Sequence, residues 1–140
     1  MDVEDAARLR RASAQLTRIL KADGFGVGLT STEESVLGSI VMHAPIGIGE
    51  LIKLEQLHSS VLSRAIKRLS QQELVRREKD PGDLRSAYFE PTEAGRRLHR
   101  RVMEQRTQLL LSGVAGLTGA QQAALREVLP VLESLVDALR

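Results

Sequence analysis

A chain of 140 residues has room for one domain with its own core, and 42% hydrophobic with 27% charged residues is the balance of a folded protein rather than a disordered one. Aromatic residues make up only 2%, so the core must be built from Leu, Val, Ile and Ala, which suits packed helices. Cysteine is absent and the net charge is a bland +2, which excludes disulfides, thiolate metal sites, cysteine nucleophiles and thiol redox switches.

The first element is an amphipathic helix from about Glu4 to Lys21, with Leu9, Ala12, Leu16, Ile19 and Leu20 at helical spacing. Asp23-Gly24-Phe25-Gly26-Val27-Gly28 breaks it, because three glycines in five residues do not sustain a helix. Thr30 and Glu33 then form a capping box at the start of a second helix, whose stripe is Val36, Leu37, Ile40 and Val41 and which ends near His43-Ala44-Pro45. Ile46-Gly47-Ile48-Gly49 reads as a short extended piece, followed by a short helix through Glu50, Leu51, Ile52 and Leu54.

A fourth helix runs from about Ser59 to Gln72, with Leu62, Ala65, Ile66 and Leu69 as its core face. Its other face offers Ser60, Ser63, Arg64 and Lys67. The period then changes to that of strands at 74–79 and 86–90, joined through Asp80-Pro81-Gly82-Asp83, where Pro and Gly take the central positions of a type II turn. Pro91-Thr92-Glu93 opens a long helix that ends around Gly113 and Gly116. Thr118 and Gln121 form a second capping box for a last helix with a broad apolar stripe, and Pro130 inside it predicts a kink rather than an end. The expected fold class is mostly α with a small β-hairpin.

Charge is unevenly spread: residues 58–106 hold twelve cations against seven anions, so a basic middle lies between acidic ends. That pattern suits a polyanion. The order helix, short helix, helix, basic hairpin is a winged helix-turn-helix, in which a helix enters the major groove of duplex DNA. On that reading Ser59, Ser60, Ser63, Arg64, Lys67 and Arg68 of the fourth helix meet bases and phosphates, and Arg85 beside the hairpin tip suits a narrow minor groove. Arg77 is either a phosphate contact or a solvated strand arginine.

The residues from Leu29 to about Leu98 resemble the MarR family of transcriptional regulators. The pieces that carry the likeness are Leu29-Thr30-x-x-Glu33-x-x-Val36-Leu37, Glu50-Leu51, Ser63-Arg64-x-x-x-x-Leu69, Leu74-Val75-x-Arg77, Asp80-Pro81-x-Asp83-x-Arg85 and Thr92-x-x-Gly95-Arg96. The resemblance implies a repressor acting as a homodimer on a palindromic operator in double-stranded DNA. It implies a single domain over 1–140, with 29–91 as the DNA-binding part and 4–21 with 92–140 as dimerisation helices. It makes Arg85 the wing-tip residue and gives Asp83 a salt bridge that orients the wing, with Arg64 or a neighbouring Arg. Similar proteins are often released by a small aromatic or phenolic acid; His43 and the Phe25 region could line such a site, although a lone His near a helix end is more often an exposed or capped residue. Similar proteins usually carry a small residue at Ile52, an apolar one at Glu55, and Gly at Gln56 and Glu73, so this chain departs from the pattern at four positions.

No cofactor and no metal are expected, since His43, His58 and His99 are widely separated and lack carboxylates at ligand spacing. An enzyme is not expected either, for want of a phosphate loop, a serine nucleophile motif or an acid/base pair. No apolar run approaches the ~20 residues that span a bilayer, and the acidic start Met1-Asp2-Val3-Glu4-Asp5 does not read as a secretory signal, so a cytoplasmic place is expected. The alternative function is a winged helix used for protein contacts alone. The Ser/Arg/Lys face and Arg85 weigh against it, because protein interfaces favour apolar anchors.

Overall fold

Side chains that satisfy the first free N–H groups set most of the helix starts. In the computed structural model, which describes residues 1–22, 28–80 and 82–140 (the side chains of Asp80 and residues 83–86 excepted), α1 is Val3–Lys21 and begins where Asp2 accepts from the N–H of Asp5. α2 is Ser31–His43, and its capping box is complete: Thr30 accepts from Glu33 N–H at 3.1 Å and Glu33 from Thr30 N–H at 2.9 Å. The extended piece is shorter than its sequence suggests. β1 is Ile46–Gly47 alone, because α3 (Ile48–Glu55) begins at once.

α4 is Ser59–Gln71, β2 is Val75–Asp80 and β3 is Asp83–Pro91. The two hairpin strands pair from Val75↔Pro91 to Asp80↔Asp83, further toward the tip than the expected 74–79 and 86–90. The register is regular to Lys79↔Ala87 and shifts before the last pair, Asp80↔Asp83, which only residues 81 and 82 separate. Pro81, and with it the expected turn type, lies outside the described residues. β1 joins β3 through Ile46↔Phe89 and Gly47↔Tyr88, so the antiparallel sheet has the order β1-β3-β2.

By compactness the chain divides into residues 1–105 and 106–140. The first unit holds the core: Val36, Leu37 and Ile40 of α2, Ile46 of β1, Leu51 of α3, Leu62 and Leu69 of α4, and Phe89 of β3. Every residue of the expected α4 stripe is buried. α5 is Glu93–Ala115, which carries it past Gly113, the first of the two glycines expected to end it; Gly116 lies just beyond. Its start is bonded to the two residues that precede β2. The Thr92 hydroxyl donates to the Glu73 carbonyl at 2.6 Å and accepts from Gly95 N–H at 3.0 Å, while Thr92 N–H donates to the Leu74 carbonyl at 3.0 Å. A Cβ on Gly95 would sit 2.0 Å from that same carbonyl oxygen, which is why the Thr92-x-x-Gly95 spacing admits nothing larger.

In the second unit α6 is Gly119–Ala138, opened by the second capping box between Thr118 and Gln121. The helix continues through Pro130, as expected; the missing N–H there leaves the Arg126 carbonyl without its helical donor. None of its residues is buried, and none of α1 is either.

Candidate nucleic-acid interface

With Leu62, Ala65, Ile66 and Leu69 turned into the core, the helical step leaves Ser60, Arg64 and Lys67 on the far side of α4, and all three are exposed. Ser59 and Ser60 open the helix after His58, which makes no cap bond through its side chain. Ser59 and Ser63 are exposed on the flank.

The hairpin supplies the second wall, and strand alternation sorts its arginines. Arg76 donates across the strands to Glu90 at 2.9 Å, and its Nε lies 3.3 Å from Glu78. Its guanidinium is held above the ordinary arginine value, first by the hydrogen bond to Glu90 and then by the Glu90 charge. Arg76 thus keeps its charge, balanced by the two carboxylates beside it. Arg77, on the opposite face and across from Phe89, makes no ion pair among the described residues. Neither do Arg64 and Lys67. Arg77 joins Ser63, Lys67 and Ser70 of α4 and Tyr88 of β3 around a groove of about 630 Å³ between the helix and the sheet.

Arg68 is placed differently. Its Nε lies 2.8 Å from Oε1 of Glu33, whose side chain is only 4% exposed, while the other carboxylate oxygen holds the Thr30 N–H. One carboxylate thus closes the cap of α2 and anchors α4, and the Arg68 Nε is engaged there. The backbone of Asp83 and Arg85 belongs to β3, but their side chains lie outside the described residues. The expected Asp83–Arg64 salt bridge and the minor-groove role of Arg85 lie there with them.

The four departures from the family pattern cluster around α4. Gln56, at the end of α3, has φ 52°, and Glu73, just after α4, has φ 59°. Both stand where the resemblance leads one to expect Gly, and among the described residues they are the two non-glycines with positive φ. Glu73 is the left-handed residue of a Schellman motif, with Leu74 N–H on the Leu69 carbonyl at 2.9 Å and Glu73 N–H on that of Ser70 at 3.0 Å. Glu55 replaces an apolar contact with a polar one. The Ser35 hydroxyl donates to Oε2 at 2.8 Å and the Ser39 hydroxyl to Oε1. Ile52 remains packed against the core. The sequence hinted at this clamp through Ser35 and Ser39, one helical turn apart, but nothing local links them to Glu55. The Glu33–Arg68 pair has no spacing signal at all.

Among the described residues no group of three or more His, Asp or Glu could hold a metal ion, and no helix is long and apolar enough to cross a membrane. The helix–turn–helix of α3 and α4, with the β2–β3 hairpin beside it, defines a winged helix-turn-helix protein. Residues 29–87 match the model of the MarR family. Over that stretch, which runs from just before α2 into β3, the chain is similar to that family. It is 28% identical to the HTH-type transcriptional repressor NicR of Pseudomonas putida over 130 residues, 93% of this chain and 80% of that protein. Wild-type MarR of E. coli in its apo form superposes with a TM-score of 0.80 at 22% identity, covering 94% of this chain and 96% of that one. Streptococcus pneumoniae FabT in complex with DNA superposes at 0.70 and 14% identity, covering 98% of both chains. These structural likenesses concern the fold.

Proposed function

We propose that the protein is a homodimeric transcriptional repressor that binds a palindromic operator in duplex DNA, with α4 in the major groove and the β2–β3 wing along the flanking backbone. The observation that carries this reading is the surface where Ser63 and Lys67 of α4 meet Arg77 of the wing, with Arg64 beside them. These cations have no carboxylate among the described residues to neutralise them, unlike Arg76 and Arg68. A helix of ~10–12 Å diameter fits a groove ~12 Å wide, where serine hydroxyls reach base edges or phosphates and cations reach further. Asp83 and Arg85 keep the wing-tip roles that the resemblance assigns them. Repression is the mode named for the P. putida relative.

The dimer is supported by apolar surface with no cover in one chain. Leu16 and Ile19 of α1, Leu109, Leu110 and Leu111 of α5, and Leu125, Val128, Leu129, Leu135 and Val136 of α6 are all exposed by more than a third. Large apolar side chains left bare on helices in this number mark a surface that packs against a partner. A two-fold dimer through the terminal helices buries them and sets two copies of α4 about 10 base pairs apart. Release by a small aromatic or phenolic acid, and work in the cytoplasm, complete the proposal on the strength of the resemblance. Of the residues expected to line a ligand site, His43 is exposed at the end of α2 and Phe25 lies outside the described residues.

Selection of bound molecules from random-sequence duplexes tests the reading. Enrichment of an inverted repeat with half-sites one helical turn apart is expected. Recovery of unenriched sequence, together with a monomer in sedimentation, would leave a protein-contact module in its place.

A further inference from the structure

Among the described residues of α4, Val61 is the one that is both apolar and exposed; the other exposed positions of that helix hold serines, arginines, a lysine and a glutamine. It is 38% exposed, whereas Leu62 beside it is fully buried. Val61 is neither in the core nor one of the partly buried residues packed against it, which are Val41, Ile52, Leu57 and Ala94. It does not line the α4–wing groove, and it stands on none of the helices that supply the dimer surface.

The fold gives no reason for a valine here. Branching at Cβ puts its helix propensity below that of Ala, Gln or Lys. A lone apolar side chain on an ordinary surface needs no explanation, but the place of Val61 is not ordinary. It is the third residue of α4, in the first turn, and recognition helices meet base edges with their N-terminal residues. Ser60 precedes it, and Arg64 stands three residues on, the neighbouring position on the same side of the helix.

The major groove presents hydrogen-bond donors and acceptors at every base pair and one apolar group, the C5-methyl of thymine. Serine hydroxyls and guanidinium forks gain from the donors and acceptors or from phosphates. An isopropyl group gains from neither, and the thymine methyl is the partner left to it.

We propose that Val61 is a specificity-determining residue, packing its isopropyl group against the C5-methyl of a thymine in each half of the operator. The inference rests on the operator-binding reading above and deepens it. Sequence is read in part through this apolar contact, while Lys67 and Arg77 hold phosphates whatever the sequence.

The test uses the full chain, the duplex selected from random sequence, and duplexes in which deoxyuridine replaces thymine at one symmetric pair of positions at a time. Uracil keeps the pairing and every hydrogen-bonding group of thymine and lacks only the methyl. Burial of one such group is worth about fourfold in affinity, so about fifteenfold over two half-sites. Wild type is expected to show that loss at one symmetric pair. Val61→Ala is expected to bind the thymine duplex more weakly and to lose little further on uracil, with an unchanged log–log salt slope because no phosphate contact is removed. A fault in folding would instead weaken both duplexes alike and leave the uracil penalty at its wild-type size. Equal penalties in the two proteins therefore overturn the inference. So does a wild type indifferent to uracil at every position, or a selected site with no thymine shared by its two halves, and in each case operator binding stands. Failure of wild type to enrich any site sinks the operator reading and the role of Val61 with it.

Discussion

Gln56 and Glu73 bracket the proposed recognition helix with two left-handed backbones, and replacing both by glycine should make the protein more stable. A left-handed L-residue costs on the order of 1–2 kcal/mol, which glycine removes. The added freedom of glycine in the unfolded chain takes back about 0.4–1 kcal/mol. The net gain is then roughly 0.5–1 kcal/mol at each site. The two residues lie at opposite ends of α4, so their effects should add to about 1–2 kcal/mol. For a chain of this size that is a rise in Tm of roughly 5 °C. The native bonds hold in the variants, because Glu73 N–H and Leu74 N–H meet the Ser70 and Leu69 carbonyls through backbone alone. Urea unfolding followed by circular dichroism reads the change as a higher midpoint at constant slope. Alanine at the same two positions keeps the strain and should leave the midpoint almost where it was. Glycine variants no more stable than the alanine variants would refute the claim that these φ angles are strained.

Other outcomes follow from the same contacts. Gly95→Ala forces a methyl to 2.0 Å from the Leu74 carbonyl oxygen and should cost about 3 kcal/mol, read by urea midpoint; a variant as stable as wild type would deny the close approach of α5 to Leu74, just before β2. Thr92→Val removes both the bond to the Glu73 carbonyl and the cap on Gly95 N–H, with an expected loss of about 1–2 kcal/mol in the same assay. Glu55→Ala leaves the Ser35 and Ser39 hydroxyls without their acceptor and should cost about 1–2 kcal/mol, whereas Glu55→Gln recovers part of it. A charged residue at one of the exposed α6 leucines, Leu129→Glu, should shift the sedimenting species from dimer to monomer; an unchanged dimer would place the interface elsewhere.

Much of this fold is written locally. The two capping boxes and the Leu62/Ala65/Ile66/Leu69 stripe each sit within a few residues of sequence, and each appears where its chemistry requires. Thr92-x-x-Gly95 was legible as a motif, but its reason was not, because the clash it avoids is with Leu74 on another element. The roles of the arginines divided along the same line. Composition placed Arg68, Arg76 and Arg77 together in a basic stretch. Only the fold gives Arg68 to Glu33, thirty-five residues away in sequence, and Arg76 to Glu90, leaving Arg77 unpaired among the described residues. The departures at Gln56 and Glu73 marked left-handed positions because glycine is the residue such backbones favour. At Glu55 the departure marked a polar contact whose donors lie on a different helix.

The central claim, that unpaired cations on α4 and the wing hold DNA phosphates, is tested most directly by the salt dependence of binding to the selected duplex. Wild type, Lys67→Ala, Arg77→Ala and the control Arg18→Ala would be titrated across salt concentration. The account predicts a log–log slope of several units for wild type and the control, flatter by about 0.9 in each of the two site variants. Slopes in Lys67→Ala and Arg77→Ala equal to that of Arg18→Ala would contradict it, because phosphates would then lie elsewhere on the surface.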